Sequence, residues 1–178
     1  MFCPCGSNNQ FKSCCLKIIK GHSQAQSPEQ LMRSRFSAYV TNDAQYIYAS
    51  YSQQSQLSQS VSDIKDWAGT CKFIELTIDH VSPFSEYFSD ESSVIPTVQF
   101  TAYYLIANNL YQMSEKSRFI KEPLSKLNNA IDDTHWVYLD GDVYQHTQVG
   151  IIKRNDLCPC AINKAKEVKQ KFKKCCGH

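Results

Sequence analysis

Eight of the nine cysteines in this 178-residue chain fall into two short clusters at its ends, and no other feature limits its folding as strongly. The first cluster runs Cys3-Pro4-Cys5-Gly6-Ser7-Asn8-Asn9-Gln10-Phe11-Lys12-Ser13-Cys14-Cys15. The second opens Cys158-Pro159-Cys160-Ala161 and closes Phe172-Lys173-Lys174-Cys175-Cys176, leaving only Cys71 outside. A disulfide framework fits poorly. The count is odd, and Met1-Phe2-Cys3-Pro4 lacks the charged and apolar regions of a secretory signal, so a reducing cytoplasm is the expected compartment. Structural zinc sites want four ligands in a tetrahedron, with thiolate the preferred soft donor. A Cys-x-Cys pair in a tight turn supplies two, and a Cys-Cys pair beside a short helical segment closes the set. Gly6 permits positive φ in that turn, and Ser7 is a candidate cap for the segment that follows. Lys12 and Lys17 are close enough to offset the double negative charge of four thiolates on Zn²⁺. Cys71, alone, reads as a buried packing residue.

The two clusters repeat one another, and both resemble the SEC-C zinc motif, named for the C-terminal zinc tail of the translocase motor SecA. By that pattern the zinc ligands are Cys3, Cys5, Cys14 and Cys15, then Cys158, Cys160, Cys175 and Cys176, giving two Zn²⁺ sites. The second copy departs from the pattern. Ala161 stands where glycine is usual, and fourteen residues rather than eight separate the pairs. The longer loop costs only about 0.5 kcal/mol in closure entropy, against roughly 10–16 kcal/mol from structural zinc binding. The inserted Ile162–Lys169 stretch is expected to extend a local helix, and His178 is a further candidate donor.

Charge follows the same division. Residues 1–21 carry +3, residues 151–178 carry +6, and the stretch between carries −7. No run of about 20 apolar residues suggests a membrane span. Lysine clusters alone are more often a solvated surface than a nucleic-acid footprint, so DNA is not expected, and the SEC-C resemblance implies a protein or ribosomal partner for the basic ends.

Between the clusters the pattern changes period once. Ser27, Pro28 and Gln30 predict a capping box opening a helix whose Met32, Phe36, Tyr39 and Val40 face a core. Asn42-Asp43 punctuates, Ala44–Tyr51 reads as a second helix, Ser52–Ser60 as loop, and Ser62–Ala68 as a third helix stopping at Gly69. Alternation then predicts strands over Lys72–Val81 (Ile74, Leu76 and Ile78 inward), Val94–Asn108, Leu110–Lys121 and His135–Tyr144. An acidic connection is expected over Pro83–Ser93, a turn at Asn108-Asn109 and a loop over Pro123–Thr134. Helices followed by antiparallel strands imply an α+β domain with helices packed on a curved sheet. The expected units are 1–22, 28–148 and 153–178.

Leu31-Met32-Arg33-Ser34-Arg35-Phe36-Ser37-Ala38-Tyr39, Glu115-x-Ser117-Arg118-Phe119 and Trp136-x-Tyr138-x-Asp140-Gly141 resemble the YchJ-like family of SEC-C proteins. The resemblance implies a cone-shaped fold like nuclear transport factor two and the SnoaL-type cyclases. It implies no activity, because the fold serves enzymes and binding modules alike. Such a cone holds a pocket between helices and sheet, and Arg33, Arg35, Glu115, Arg118 and Asp140 are the candidates to line it. An Arg–Glu pair there serves either a small anionic ligand or the tie between helix and sheet, the latter favoured because buried charges must be paired. No catalytic constellation is evident. Two functions follow: a non-enzymatic zinc adaptor that docks a partner through its basic ends, as the SecA tail does, or a small-molecule binder or enzyme using the cone.

Overall fold

The computed structural model describes residues 1–82, 95–124 and 134–177, and the change of period falls where the chain changes layer. Six helices are described: α1 (Cys15–Ile19), α2 (Pro28–Thr41), α3 (Ala44–Ala49), α4 (Gln53–Gln56), α5 (Val61–Thr70) and, after the strands, α6 (Ala161–Lys164). The strands β1 (Lys72–Val81), β2 (Thr97–Ile106), β3 (Asn109–Pro123) and β4 (Thr134–Ile151) form one antiparallel sheet in the order β1-β2-β3-β4. This is the expected α+β arrangement. The acidic connection over 83–93, the strand start at Val94, residues 125–133 of the expected loop, and His178 lie outside the described residues.

Helix α2 starts where its sequence says it should. Ser27 Oγ accepts from the Gln30 amide at 3.2 Å, and Pro28 sits where no donor is needed. The Gln30 side chain closes on the Gln26 amide at 2.9 Å, one residue before the expected partner. Asn42 ends the helix in a left-handed conformation, and Asp43 caps α3 by accepting from the Tyr46 amide. Ser52–Ser60 is not all loop, since Ser52 caps the single turn α4. The Ser52 amide also bonds the Tyr138 carbonyl at 2.8 Å, and Tyr138 N–H bonds the Ser50 carbonyl, so this connection pairs with β4. Helix α5 passes through Gly69 to Thr70 instead of stopping there. Glycine only weakens a helix, by about 1 kcal/mol, and tertiary packing overrides that.

Met32 and Phe36 of α2 pack on Phe73, Leu76, Val98, Phe100, Tyr104, Phe119 and Trp136, with Tyr39 and Val40 at the margin. Cys71 is buried in this core as expected. Alternation in β1 breaks at a bulge between Phe73 and Glu75. Phe73 and Leu76 therefore share the helix side, while Ile74 joins Leu105 in a separate cluster under the C-terminal segment. The expected inward placement of Ile74 is thus corrected. Strand β4 is longer than the sequence suggested, running to Ile151, and three register shifts along its pairing with β3 curve the sheet.

The hairpin turn also falls one residue earlier than expected. Ile106 pairs Asn109, leaving Ala107-Asn108 at the tip, with Ala107 at φ 54°. An alanine there pays a steric penalty that glycine avoids. Ala107→Gly is expected to raise stability by about 0.5–1 kcal/mol, read as a higher midpoint in urea unfolding with an unchanged slope.

Candidate metal centres and the cone cavity

At the N-terminus an antiparallel bridge between Phe2 and Gln10 and a 3-10 turn over Phe11–Ser13 fold the thirteen-residue cluster into a knuckle. The Cys3 amide bonds the Asn9 carbonyl at 2.8 Å, and Phe11 N–H bonds the Met1 carbonyl at 3.0 Å. Gly6 stands at φ 78°, the left-handed value the turn after Cys5 requires. Cys3, Cys5 and Cys15 are buried, in one apolar cluster with Phe11, Ile19, Ala38, Ala44 and Ile47. The knuckle is therefore part of the helical layer. Cys3 Sγ lies 3.7 Å from Ser37 Oγ, and Arg33 Nη1 donates to the Cys5 carbonyl at 2.8 Å.

The C-terminal cluster repeats this construction. Leu157 bridges Lys171, the Cys158 amide bonds the Gln170 carbonyl at 2.9 Å, Phe172 N–H bonds the Asp156 carbonyl, and a 3-10 turn covers Phe172–Lys174. Cys158, Cys160 and Phe172 are buried against Ile74 and Leu105. The departure at Ala161 is explained locally: Cys160 caps α6, its Sγ accepting from the Asn163 amide at 3.3 Å, so the chain turns right-handed and needs no glycine. The insertion forms one helical turn and not the longer helix expected. It is held at its base by Asn163, which is buried. Asn163 Nδ2 donates to the carbonyls of Cys158 (2.8 Å) and Gln170 (3.1 Å), and its Oδ1 accepts from the Gln170 amide at 2.8 Å. Sequence reasoning missed Asn163, because nothing in its spacing separates it from a surface asparagine.

Each tetrad gathers its four Sγ atoms within 4.8 Å of one another, and the two tetrads share no cysteine. The sulfurs of Cys5 and Cys14 are 3.8 Å apart, those of Cys14 and Cys15 3.9 Å, and those of Cys160 and Cys175 3.5 Å. Metal–sulfur bonds of about 2.3 Å in a tetrahedron give edges of roughly 3.8 Å, so both sets fit a metal ion. The ionisation pattern points the same way. Hydrogen bonds from Cys15 and then Cys3 draw Cys5 far below the thiol range. Donation to Cys3 and Cys5 drives Cys15 up. For Cys3 the bond with Cys15 works downward, but its bond to Cys5 and burial prevail and push it up to about 11. At the other end the bond from Cys176 lowers Cys160 to about 5. Burial, then bonds to Cys158 and Cys160, pushes Cys175 up to about 12, and Cys176 is raised first by its bond to Cys160. Within each tetrad one cysteine is thus drawn down and the neighbours named here are held up, an imbalance that a bound divalent ion would relieve.

Both modules settle on β1, an edge strand. Gly6 lies against the Leu76 carbonyl, Lys164 Nζ pairs with Glu75 at 2.6 Å, and Lys72 Nζ bonds the Cys176 carbonyl. A groove of about 460 Å³ runs between them, lined by Phe2, Gly6, Glu75, Leu76, Ala161 and Lys164 among others. The two termini are thus neighbours.

Residues 27–141 match the family model of the YchJ middle domain, described as NTF2-like. The chain belongs to the YchJ family. Along its length it is 33% identical to a UPF0225 protein of Vibrio parahaemolyticus and 34% identical to one of Vibrio vulnificus, with 98% of each chain covered in both comparisons. Its fold resembles the crystal structure of a SEC-C motif containing protein from Psychrobacter arcticus (TM-score 0.66, 25% identity, covering 99% of this chain and 96% of that one). It also resembles the solution structure of a SEC-C motif containing protein from Rhodopseudomonas palustris (TM-score 0.65, 25% identity, covering 82% of this chain and 100% of that one).

In the YchJ-family domain the helices and the curved sheet enclose a cavity of about 140 Å³. Of the five candidate lining residues, Arg35 and Glu115 reach it. Arg33 instead pairs with Glu29 and holds the Cys5 knuckle, because it lies on the opposite side of α2. Arg118 and Asp140 pair with each other at 2.5 Å on the exposed surface, with Asp142 at 3.5 Å from Arg118. The sequence reading missed Tyr51, and gave Tyr138 as a motif residue without assigning it to the pocket; their rings flank the Arg35 guanidinium at 4.3 and 4.4 Å. Burial pushes Tyr138 up, helped by the Glu115 charge and opposed by Arg35, so its hydroxyl stays protonated and donates to Glu115 Oε1 at 2.9 Å. Ser117 donates to the same oxygen at 2.6 Å. A Cβ at Gly141 would fall 2.0 Å from that oxygen, so a larger residue there would displace the Glu115 side chain.

Asn163→Ala removes three buried hydrogen bonds, and is expected to destabilise the C-terminal module by about 2–3 kcal/mol. Under chelator challenge of the metal-loaded chain, this variant should release one metal equivalent faster than wild type while the other, held by Cys3, Cys5, Cys14 and Cys15, leaves at the wild-type rate.

Proposed function

We propose that the chain is a zinc-braced docking adaptor, in which two closed Zn²⁺ sites fix the termini on β1 and the C-terminal module presents a basic surface to an acidic protein or ribosomal partner. Zinc is the reading that the donor chemistry supports, since four thiolates at tetrahedral spacing suit a soft, redox-inert ion. Four protein ligands leave no open coordination position, which favours bracing over catalysis.

One observation carries the docking role. In the C-terminal module Cys158, Cys160, Asn163 and Phe172 turn inward, while Lys153, Arg154, Lys169, Lys171 and Lys174 are exposed. Among the described residues of this module only Lys164 has a carboxylate partner within 4 Å. Leu157 and Val168 stand between these cations, 62% and 81% exposed. Cations with no carboxylate beside them among the described residues, around exposed apolar side chains, form a surface that gains by covering, through charge steering and apolar burial together.

Two measurements test this. Elemental analysis of protein purified without added metal should find two zinc per chain, and chains stripped of zinc should lose the C-terminal module's protection from protease; an absence of zinc with all thiols free would defeat the bracing role. Lys169→Glu, Lys171→Glu and Lys174→Glu combined should abolish salt-sensitive cosedimentation with ribosomes, or crosslinking to a protein partner, with zinc content unchanged. Undiminished binding by that triple variant would rule out docking through this surface.

A further inference from the structure

Arg35 is 3% exposed and lies wholly within the protein, yet among the described residues no carboxylate comes within 4 Å of it. Its Nη1 donates to the Ile47 carbonyl at 3.2 Å and to Ser50 Oγ. Those two bonds tie α2 to α3. They use one nitrogen of three; Tyr51 also bonds the guanidinium through its side chain, and the donors left over face the cavity. Buried guanidinium groups are ordinarily neutralised by a paired anion. Here the flanking Tyr51 and Tyr138 rings supply part of that stabilisation.

Glu115 is the complementary case. It is 8% exposed and faces the same cavity from the sheet side. Its Oε1 takes both available donors, Ser117 and Tyr138, and Oε2 accepts from none of the described residues. A buried cation and a buried anion thus look into one space from opposite layers without meeting. Phe36, Phe73, Phe100 and Trp67 provide flat apolar walls, and Trp67, 42% exposed, borders the solvent. A cavity of about 140 Å³ matches the roughly 150 Å³ that accommodates one benzene ring.

We propose that this cavity binds a ring-sized organic molecule carrying a carboxylate at one end, paired with Arg35, and a hydroxyl or amino donor at the other, paired with Glu115. The Arg35 charge selects the carboxylate. The Glu115 charge refuses a second anion and selects a donor, which sharpens the ligand from a plain anion to a bipolar one. A ligand of this kind uses the spare guanidinium donors and the spare carboxylate oxygen at once, and the aromatic walls hold its ring. The site is independent of the lysine surface.

The test uses the intact zinc-loaded chain with 4-hydroxybenzoate and 4-aminobenzoate as probes, following the Trp67 indole N–H resonance. Saturable shifts with Kd on the order of 100 μM are expected for at least one probe, and benzoate and 4-hydroxybenzyl alcohol should each bind at least about tenfold more weakly. Glu115→Gln should erase the preference for the probe over benzoate. Ala102→Leu, which fills the cavity and leaves both charges, should abolish binding while keeping the thermal unfolding midpoint near wild type. No saturable shift for either probe up to about 10 mM, benzoate binding as well as the probes, or unchanged binding by a folded Ala102→Leu chain would each overturn the proposal.

Discussion

Helix α2 has almost no solvent face, and the remainder of the structure is arranged around that burial. Leu31, Met32, Ser34, Arg35, Phe36, Ser37 and Ala38 are all buried. Met32 and Phe36 meet the sheet, while Ala38 meets the first cysteine knuckle. The small residues let neighbours approach closely, and each polar one addresses a different neighbour. Arg33 holds the Cys5 carbonyl, Ser34 bonds the Tyr46 hydroxyl at 2.6 Å, Arg35 reaches Ile47 and Ser50, and Ser37 lies beside Cys3. A helix buried this deeply draws the partners of its polar groups from inside the protein. Leu31 to Tyr39 is therefore a wiring segment between the first cysteine module, the second helix layer and the cavity, which is why its polar positions cannot be read as a simple outer face.

The cysteine modules solve a second problem. An edge strand offers unpaired backbone groups that invite association. Strand β1 is such an edge, and both modules lie across it, one against Leu76 and the other against Glu75 and Ile74. The bulge at Phe73/Glu75 turns Ile74 toward the C-terminal module, giving that module an apolar seat. The folding of the two cysteine modules and completion of the sheet are in this way coupled. Among the described residues no helix is long and apolar enough to cross a membrane.

Much of this was legible in advance. The cysteine tetrads, the capping serines, the alternation in β2 and the order of helices before strands are local patterns, written within a few residues of where they act. Arg35 and Glu115 were also identifiable, as polar residues of the motifs whose family resemblance implies a cone with a pocket. Arg33, Arg118 and Asp140 looked the same in sequence yet lie outside the cavity. For the strand pair a register shift between Arg118 and Phe119 decides this and is not encoded by spacing, whereas Arg33, two residues from Arg35 on α2, falls on the other side by the helical period itself. Asn163 and Tyr51 escaped notice because their roles depend on what the fold brings to them.

By itself, then, the amino-acid order determined the element types and the two cysteine tetrads that could hold a metal, because backbone propensity and ligand chemistry act over short separations. Tertiary structure alone decided that the two cysteine modules are neighbours on one strand, and that a cation and a carboxylate eighty residues apart face each other across a cavity. Those outcomes rest on bulges, sheet curvature and close packing, which are properties of the assembled layers and have no local signature in the chain.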